Sequence, residues 1–197
     1  TLEEGADGKR VSIADSSGMI CEYGVWKTDL HVPNTPQEFR NAVAKLSGRW
    51  PEITDISVSV AVRLLGPPEA GKFSIYLPTL VPTGSAAYVN APFFGDMSRT
   101  SIPFDDAYNR QLLEAATDLA LDVVCNKLAG KGEVEACAII DLLAPFGKSQ
   151  AALRWHELME EAAARASAYL HDEALALAEG GWKPLNETSL IPASAKV

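Results

Sequence analysis

Ile56-Ser57-Val58-Ser59-Val60-Ala61-Val62-Arg63-Leu64 alternates apolar residues with small or polar ones along its whole length. Successive strand side chains point to opposite faces, so the stretch predicts a strand whose Ile56, Val58, Val60, Val62 and Leu64 side is turned to a core. Toward the C-terminus the pattern resumes after Gly66-Pro67-Pro68, with Phe73, Ile75 and Leu77 on one face, and again after Pro82-Thr83-Gly84, from Ala86 to about Asn90. Glycine and proline are turn residues, so these segments read as an antiparallel meander. Toward the N-terminus, residues 9 to 15 and 18 to 26 read as two strands of a hairpin around Asp15-Ser16-Ser17-Gly18. Between hairpin and meander, Thr35-Pro36-Gln37-Glu38 has the order of a capping residue, a first-turn proline and a capping-box glutamate. It predicts a short amphipathic helix through Phe39, Val43 and Leu46, ending near Ser47-Gly48.

Beyond Pro103 the apolar period changes to about 3.6. With Asp105 as its cap, a helix carrying Tyr108, Leu112, Ala116, Leu119 and Val123 is predicted to run to about Leu128. A second helix spans roughly Gly132 to Ala144. Pro145-Phe146-Gly147 then breaks the chain before Ser149 caps a long third helix. Its stripe comprises Trp155, Met159, Ala162, Ala166 and Leu170, and Gly180-Gly181 stops it; from Trp182 the tail is expected to pack back as a short extended piece. Strands followed by helices predict a segregated α+β architecture, an antiparallel sheet with helices and a C-terminal helical region. The expected division is 1–129 as the α+β unit and 130–197 as a helical appendage packed on it.

With 197 residues and 47% hydrophobic content the chain can bury a proper core. Its 17 Lys and Arg against 26 Asp and Glu give a net charge of −9, with no basic stripe to follow a phosphate backbone, so direct nucleic-acid binding is not expected. Cys21, Cys125 and Cys137 lack paired spacing and read as reduced thiols of a cytoplasmic protein, the two on helices as core residues. No apolar run reaches the length of a membrane span, so no membrane partner is expected. The polar start without Met reads as a fragment or a processed chain.

Gly66-Pro67-Pro68-Glu69-Ala70-Gly71-Lys72 has the G-x-x-x-x-G-K spacing of a phosphate-cradling loop. Phe73 nevertheless stands where Ser or Thr would hold magnesium, and a strand follows where a helix N-terminus is needed, so the segment reads as a hairpin turn. His156 and Glu160 share a helix face at metal-site spacing, but two ligands do not make a zinc site, and a solvated face accounts for them. His31 and His171 stand apart, and no metal site is expected. Asp105-Asp106 and Glu160-Glu161 are adjacent pairs, which do not face each other on a helix and cannot form an acid/base couple. Trp155 and Trp182 read as packing residues. No hydrolase motif of the G-x-S-x-G or H-E-x-x-H type occurs. No catalytic residue is assigned, and the chain by itself is not expected to be an enzyme.

Phe73-Ser74-Ile75-Tyr76-Leu77-Pro78-Thr79-Leu80-Val81-Pro82-Thr83-Gly84, then Tyr88-Val89-Asn90-Ala91-Pro92-Phe93-Phe94 and Ser98-Arg99, resembles the sacsin-type repeat region of GHKL-superfamily ATPases. There a strand ending in L-P-T is followed by a T-G turn, a V-N-A-x-F strand and an arginine. Asn109, Leu112 and Leu113 look like the residues that open the following helix. Gly181-Trp182-Lys183-Pro184-Leu185 and Leu190-Ile191-Pro192 are similar to its later elements. The resemblance covers about 73 to 113 well and the rest faintly.

In that family the region follows a Bergerat-type ATP-binding domain, as the transducer follows it in heat shock protein 90, DNA gyrase B and MutL. The resemblance implies a transducer-like, ribosomal-protein-type β-α fold that senses nucleotide state, with the upstream ATP-binding domain and a protein client or subunit as partners. Arg99 is the phosphate-sensing candidate, because a cation can stabilise a transferring phosphoryl group. The other use of Arg99 is pairing with Asp96, Asp105 or Asp106 to fix its loop. Ser98 stands where the family often has Asn. Asn90 would fix the strand-loop junction through backbone hydrogen bonds rather than touch a ligand. The D-x-G-x-G motif of the nucleotide domain is missing from this chain, so the chain alone is not expected to bind ATP tightly and no cofactor is expected here; the resemblance implies ATP and magnesium in the parent protein. The competing reading is a non-catalytic interaction module whose helical region recruits a client.

Overall fold

The computed structural model describes residues 2–5, 8–14, 18–45, 52–66, 69–143, 150–167, 172, 176–178 and 180–188. Its centre is a seven-stranded sheet in the order β1 (Leu2–Gly5), β2 (Gly8–Ala14), β3 (Ile20–His31), β4 (Asp55–Leu65), β7 (Tyr88–Asn90), β5 (Lys72–Ile75) and β6 (Leu77–Pro82). The strand expected from the alternation is β4. Its Ile56, Val58, Val60 and Val62 are at most 2% exposed, because α2 (Ala107–Asp122) and α3 (Glu133–Leu143) pack on that side. Burying those side chains stabilises the fold by about 1.5–3 kcal/mol each. The chain is thus α+β, with α1 (Gln37–Ala44) and α4 (Gln150–Arg165) packed against α2. One cluster of buried side chains runs from Trp26 through Phe39, Tyr108 and Ile139 to Ala163, and residues on both sides of position 130 share it.

The middle of the chain departs from a meander. β7 lies between β4, to which it is antiparallel, and β5, to which it is parallel; β5 in turn pairs antiparallel with β6. The connection between β4 and β5 therefore crosses the start of β7 and is not a hairpin turn. Close packing at that crossing requires Gly71, whose N–H donates to Ser85 O at 2.8 Å: a Cβ there would come within 1.8 Å of Ala87 O. The single strand expected through Phe73, Ile75 and Leu77 is broken at Tyr76, which has φ 60° and turns the chain from β5 into β6.

Helix boundaries differ in ways the side chains explain. Thr35 does not cap α1; its hydroxyl donates to Val32 O at 2.6 Å and closes the 3-10 turn Val32–Asn34, leaving Pro36 as the flanking residue. Asp106, rather than Asp105, caps α2 by accepting from Tyr108 N at 2.9 Å. The helix continues to Leu128 as a π-helical segment, Val123–Leu128. α4 ends at Arg165, well before Gly180, and Ala166 is exposed. Beyond it, β8 (Ala176–Ala178) and β9 (Gly181–Lys183) form a two-stranded hairpin that carries Trp182, packed on the core. Cys137 is exposed, whereas Cys125 packs on the core from a half-buried position. Trp155 is 1% exposed and donates to Leu142 O. The expected turn at Asp15-Ser16-Ser17, Leu46 with the Ser47-Gly48 stop, Pro67-Pro68, the Pro145-Phe146-Gly147 break with Ser149, Leu170, His171 and Leu190-Ile191-Pro192 lie outside the described residues.

Candidate functional site around Arg99

The loop between β7 and α2 is pinned at both ends by one side chain. Asn109 on α2 is fully buried; its Nδ2 donates to Phe94 O at 2.8 Å and Pro103 O at 3.1 Å, and its Oδ1 accepts from Phe94 N at 2.7 Å. Tyr108, stacked on Phe39 with centroids 5.3 Å apart, donates its hydroxyl to Pro92 O. The loop's base is therefore part of the core, while its tip, Gly95 to Ser98, is exposed.

Asp96 organises that tip. Its carboxylate accepts from Ser98 Oγ and Thr100 Oγ1, each at 2.6 Å, and from the backbone N–H groups of Thr100 and Ser101. The Ser98 and Thr100 hydroxyls foremost, with those backbone groups, hold the Asp96 carboxyl well below its usual range. Ser98 is thus occupied within the loop. Arg99 follows with φ 59°, a left-handed conformation that side chains other than glycine adopt uncommonly. Its N–H donates to Asp96 O at 3.0 Å and its carbonyl accepts from Leu80 N at 2.9 Å.

That last bond covers one edge of the sheet. β6 is an edge strand; Pro78 and Pro82 have no N–H to offer, and the Leu80 N–H is taken by Arg99. The Arg99 backbone is fully used while its half-buried side chain makes no ion pair among the described residues; the expected alternatives, Asp96, Asp105 and Asp106, do not pair with it. Asn90, at the end of β7, accepts from Tyr76 N through Oδ1 at 3.1 Å. It lines a small cleft of about 220 Å³ with Asp55, Ser57 and Tyr76, separate from Arg99. The structure therefore places Arg99, Ser98 and Asn109 on one loop system and Asn90 at another corner.

Lys72 opens β5, so no helix follows the G-x-x-x-x-G-K segment. His156 is exposed on α4, and among the described residues no group of three or more His, Cys, Asp or Glu side chains is arranged to hold a metal ion. A cleft of about 640 Å³ lies between β6, α2 and α4, walled by Phe73, Val81, Phe104, Leu113, Trp155 and Leu158, with Arg154 and Glu157 as its charged lining residues.

A second polar cluster escaped the sequence reading. Arg63, 8% exposed, donates to the Tyr23 hydroxyl at 2.6 Å and pairs with Glu69; the Tyr23 and Tyr88 hydroxyls donate to the same Glu69 Oε1. The guanidinium lies 5.2 Å from the Tyr23 ring centroid, and the two tyrosine rings meet edge to face. Hydrogen bonding from Tyr88 first, then the Arg63 charge, holds the Glu69 carboxyl down, whereas burial pushes both phenols up. The signal available in sequence was a lone arginine on the small, polar face of an alternating strand. No helix among the described residues is long and apolar enough to cross a membrane. No family model matches this chain, and neither a curated protein nor a solved structure matches it.

Proposed function

We propose that this chain is the transducer-like domain of a sacsin-like, GHKL-type ATP-binding protein of the cytoplasm, with Arg99 as the group that reports the terminal phosphate. The observation that carries the reading is the contrast within Arg99 itself: a backbone held on both sides at φ 59° and a guanidinium with no ion-pair partner among the described residues. Uncommon backbone conformations persist where the surroundings over-determine them, and they cluster at ligand clamps and switches. On the resemblance, nucleotide is held by a preceding domain, as it is in that family. What this chain supplies is one cation on a loop tied to the sheet edge and to α2, so that phosphate contact is mechanically linked to β6 and the helices behind it. The resemblance over residues 73 to 113 gives the phosphate its source.

The test uses the longest polypeptide that contains this chain. Arg99→Ala is expected to lower ATP turnover by about a thousandfold, the scale of an arginine that stabilises phosphoryl transfer, with little or no change in the unfolding midpoint. Unchanged turnover, or an upstream sequence with no nucleotide-binding domain, sinks the reading. The chain alone should turn over ATP weakly or not at all.

A second reading, an interaction module that recruits a client or subunit, draws on a different surface. Val134 and Ile140 on α3 are each 41% exposed, and Cys137 between them is exposed too, so one helix face presents apolar groups to solvent. Pull-down of a client that survives Arg99→Ala and is lost in Val134→Asp with Ile140→Asp would favour it.

A further inference from the structure

The Arg63 cluster has the composition of an anion receptor. Its three donors come from three neighbouring strands: Tyr23 on β3, Arg63 on β4 and Tyr88 on β7. Tyr23 is paired directly with Arg63, and Tyr88 with Ala61, so all three side chains rise from the sheet face opposite α2 and α3. Sheet pairing fixes their spacing whatever Glu69 does. The acceptor is different in kind. Glu69 belongs to the connection between β4 and β5, its side chain is 49% exposed, and Gly66 at the start of that connection has φ 117°. A rigid, buried cation is therefore matched with an acceptor on the one part of the cluster that is not a strand.

The chemistry of the match is also incomplete. Arg63 Nη2, Tyr23 OH and Tyr88 OH all converge on a single oxygen, Glu69 Oε1. One carboxylate oxygen serves three donors poorly. A phosphate group has several strong acceptor oxygens and up to two charges, and arginine with hydroxyl donors is a common way to bind it. We propose that Tyr23, Arg63 and Tyr88 form a phosphate-binding site whose resting occupant is the chain's own Glu69, and that an incoming phosphate group displaces Glu69 and frees the β4–β5 connection. This site is independent of the Arg99 reading, lies on other elements and stands or falls separately.

Backbone amide NMR of the whole chain, titrated with inorganic phosphate at constant ionic strength, reads the exchange. Wild type is expected to show saturable shifts centred on Tyr23, Arg63, Tyr88 and the segment from Glu69 to Gly71. Glu69→Gln keeps the side-chain shape but removes the competing charge, and should bind phosphate about tenfold more tightly, as loss of one competing ion pair implies. Tyr88→Phe keeps the ring against Tyr23 and removes one donor, so its affinity should fall about fivefold. Glycerol phosphate titrated in parallel distinguishes the source of the group: tighter binding than inorganic phosphate indicates a phosphate carried on an organic molecule, and weaker binding indicates the free ion. No saturable shift in Glu69→Gln, equal affinity of wild type and Glu69→Gln, or an equal response to acetate or chloride would each overturn the proposal and leave Glu69 as a fixed strap across β7.

Discussion

Arg63 and Arg99 serve the same sheet in opposite ways. Arg63 rises from the middle of the sheet, 8% exposed, and its guanidinium is engaged by Glu69 and Tyr23. Arg99 sits on a loop at the far edge, where its backbone is bonded to Asp96 and Leu80 while its side chain pairs with no acid among the described residues. In the first, the side chain holds structure together; in the second, the main chain does that and the side chain is left over. The difference separates a cation that stability requires from one that it does not.

That separation is open to direct attack. The largest effect is expected at Arg63. Arg63→Ala leaves Glu69 and two phenols beside a cavity without their cation, and should cost about 2–3 kcal/mol, below the figure for a fully buried pair because Glu69 is half exposed. Urea unfolding of the isolated chain measures it, and a loss no larger than that of an exposed arginine would erase the contrast. Asn109→Ala comes next. It removes the hydrogen bonds to Phe94 N–H, Phe94 O and Pro103 O at the base of the Arg99 loop, and should cost about 2 kcal/mol with faster amide exchange concentrated between Phe94 and Ser101. Exchange that rises uniformly over the chain would show that the loop is not held by this residue.

How much of this was legible beforehand depended on whether a feature was local. β4 and the Leu112, Ala116, Leu119 stripe of α2 were readable because alternation and helical period are set by one element and one core face. Insertion of β7 between β4 and β5 was not. A three-residue strand carries little pattern of its own, and its neighbours are chosen by the close approach of Gly71 to Ala87, which no short window contains. Asp105 and Asp106 are equivalent as caps on paper, and only the backbone geometry selects the second. Arg99, Ser98 and Asn109 were named through the resemblance over residues 73 to 113, which takes all three in one continuous stretch. Tyr23, Arg63, Glu69 and Tyr88 come from separate elements, and Glu69 stood inside a segment that read as a turn.

The smallest effect is the most telling one. At φ 59° an arginine holds a conformation that costs an L-residue roughly 1–2 kcal/mol, whereas glycine adopts it freely. Glycine also gives the unfolded chain more freedom, which takes back about 0.5–1 kcal/mol of that gain. Since the Arg99 side chain makes no ion pair among the described residues to offset the strain, Arg99→Gly should leave the isolated chain unchanged or stabilise it by about 0.5 kcal/mol, read as a shift in the urea midpoint at constant slope. Arg99→Ala keeps the strain and should be neutral or slightly destabilising. If Arg99→Gly instead destabilises the chain beyond Arg99→Ala, the guanidinium holds the fold, and Arg99 joins Arg63 as a structural residue. If glycine is tolerated or better while ATP turnover of the longer polypeptide collapses, the strain is maintained for something other than stability, as a positioned phosphate sensor requires.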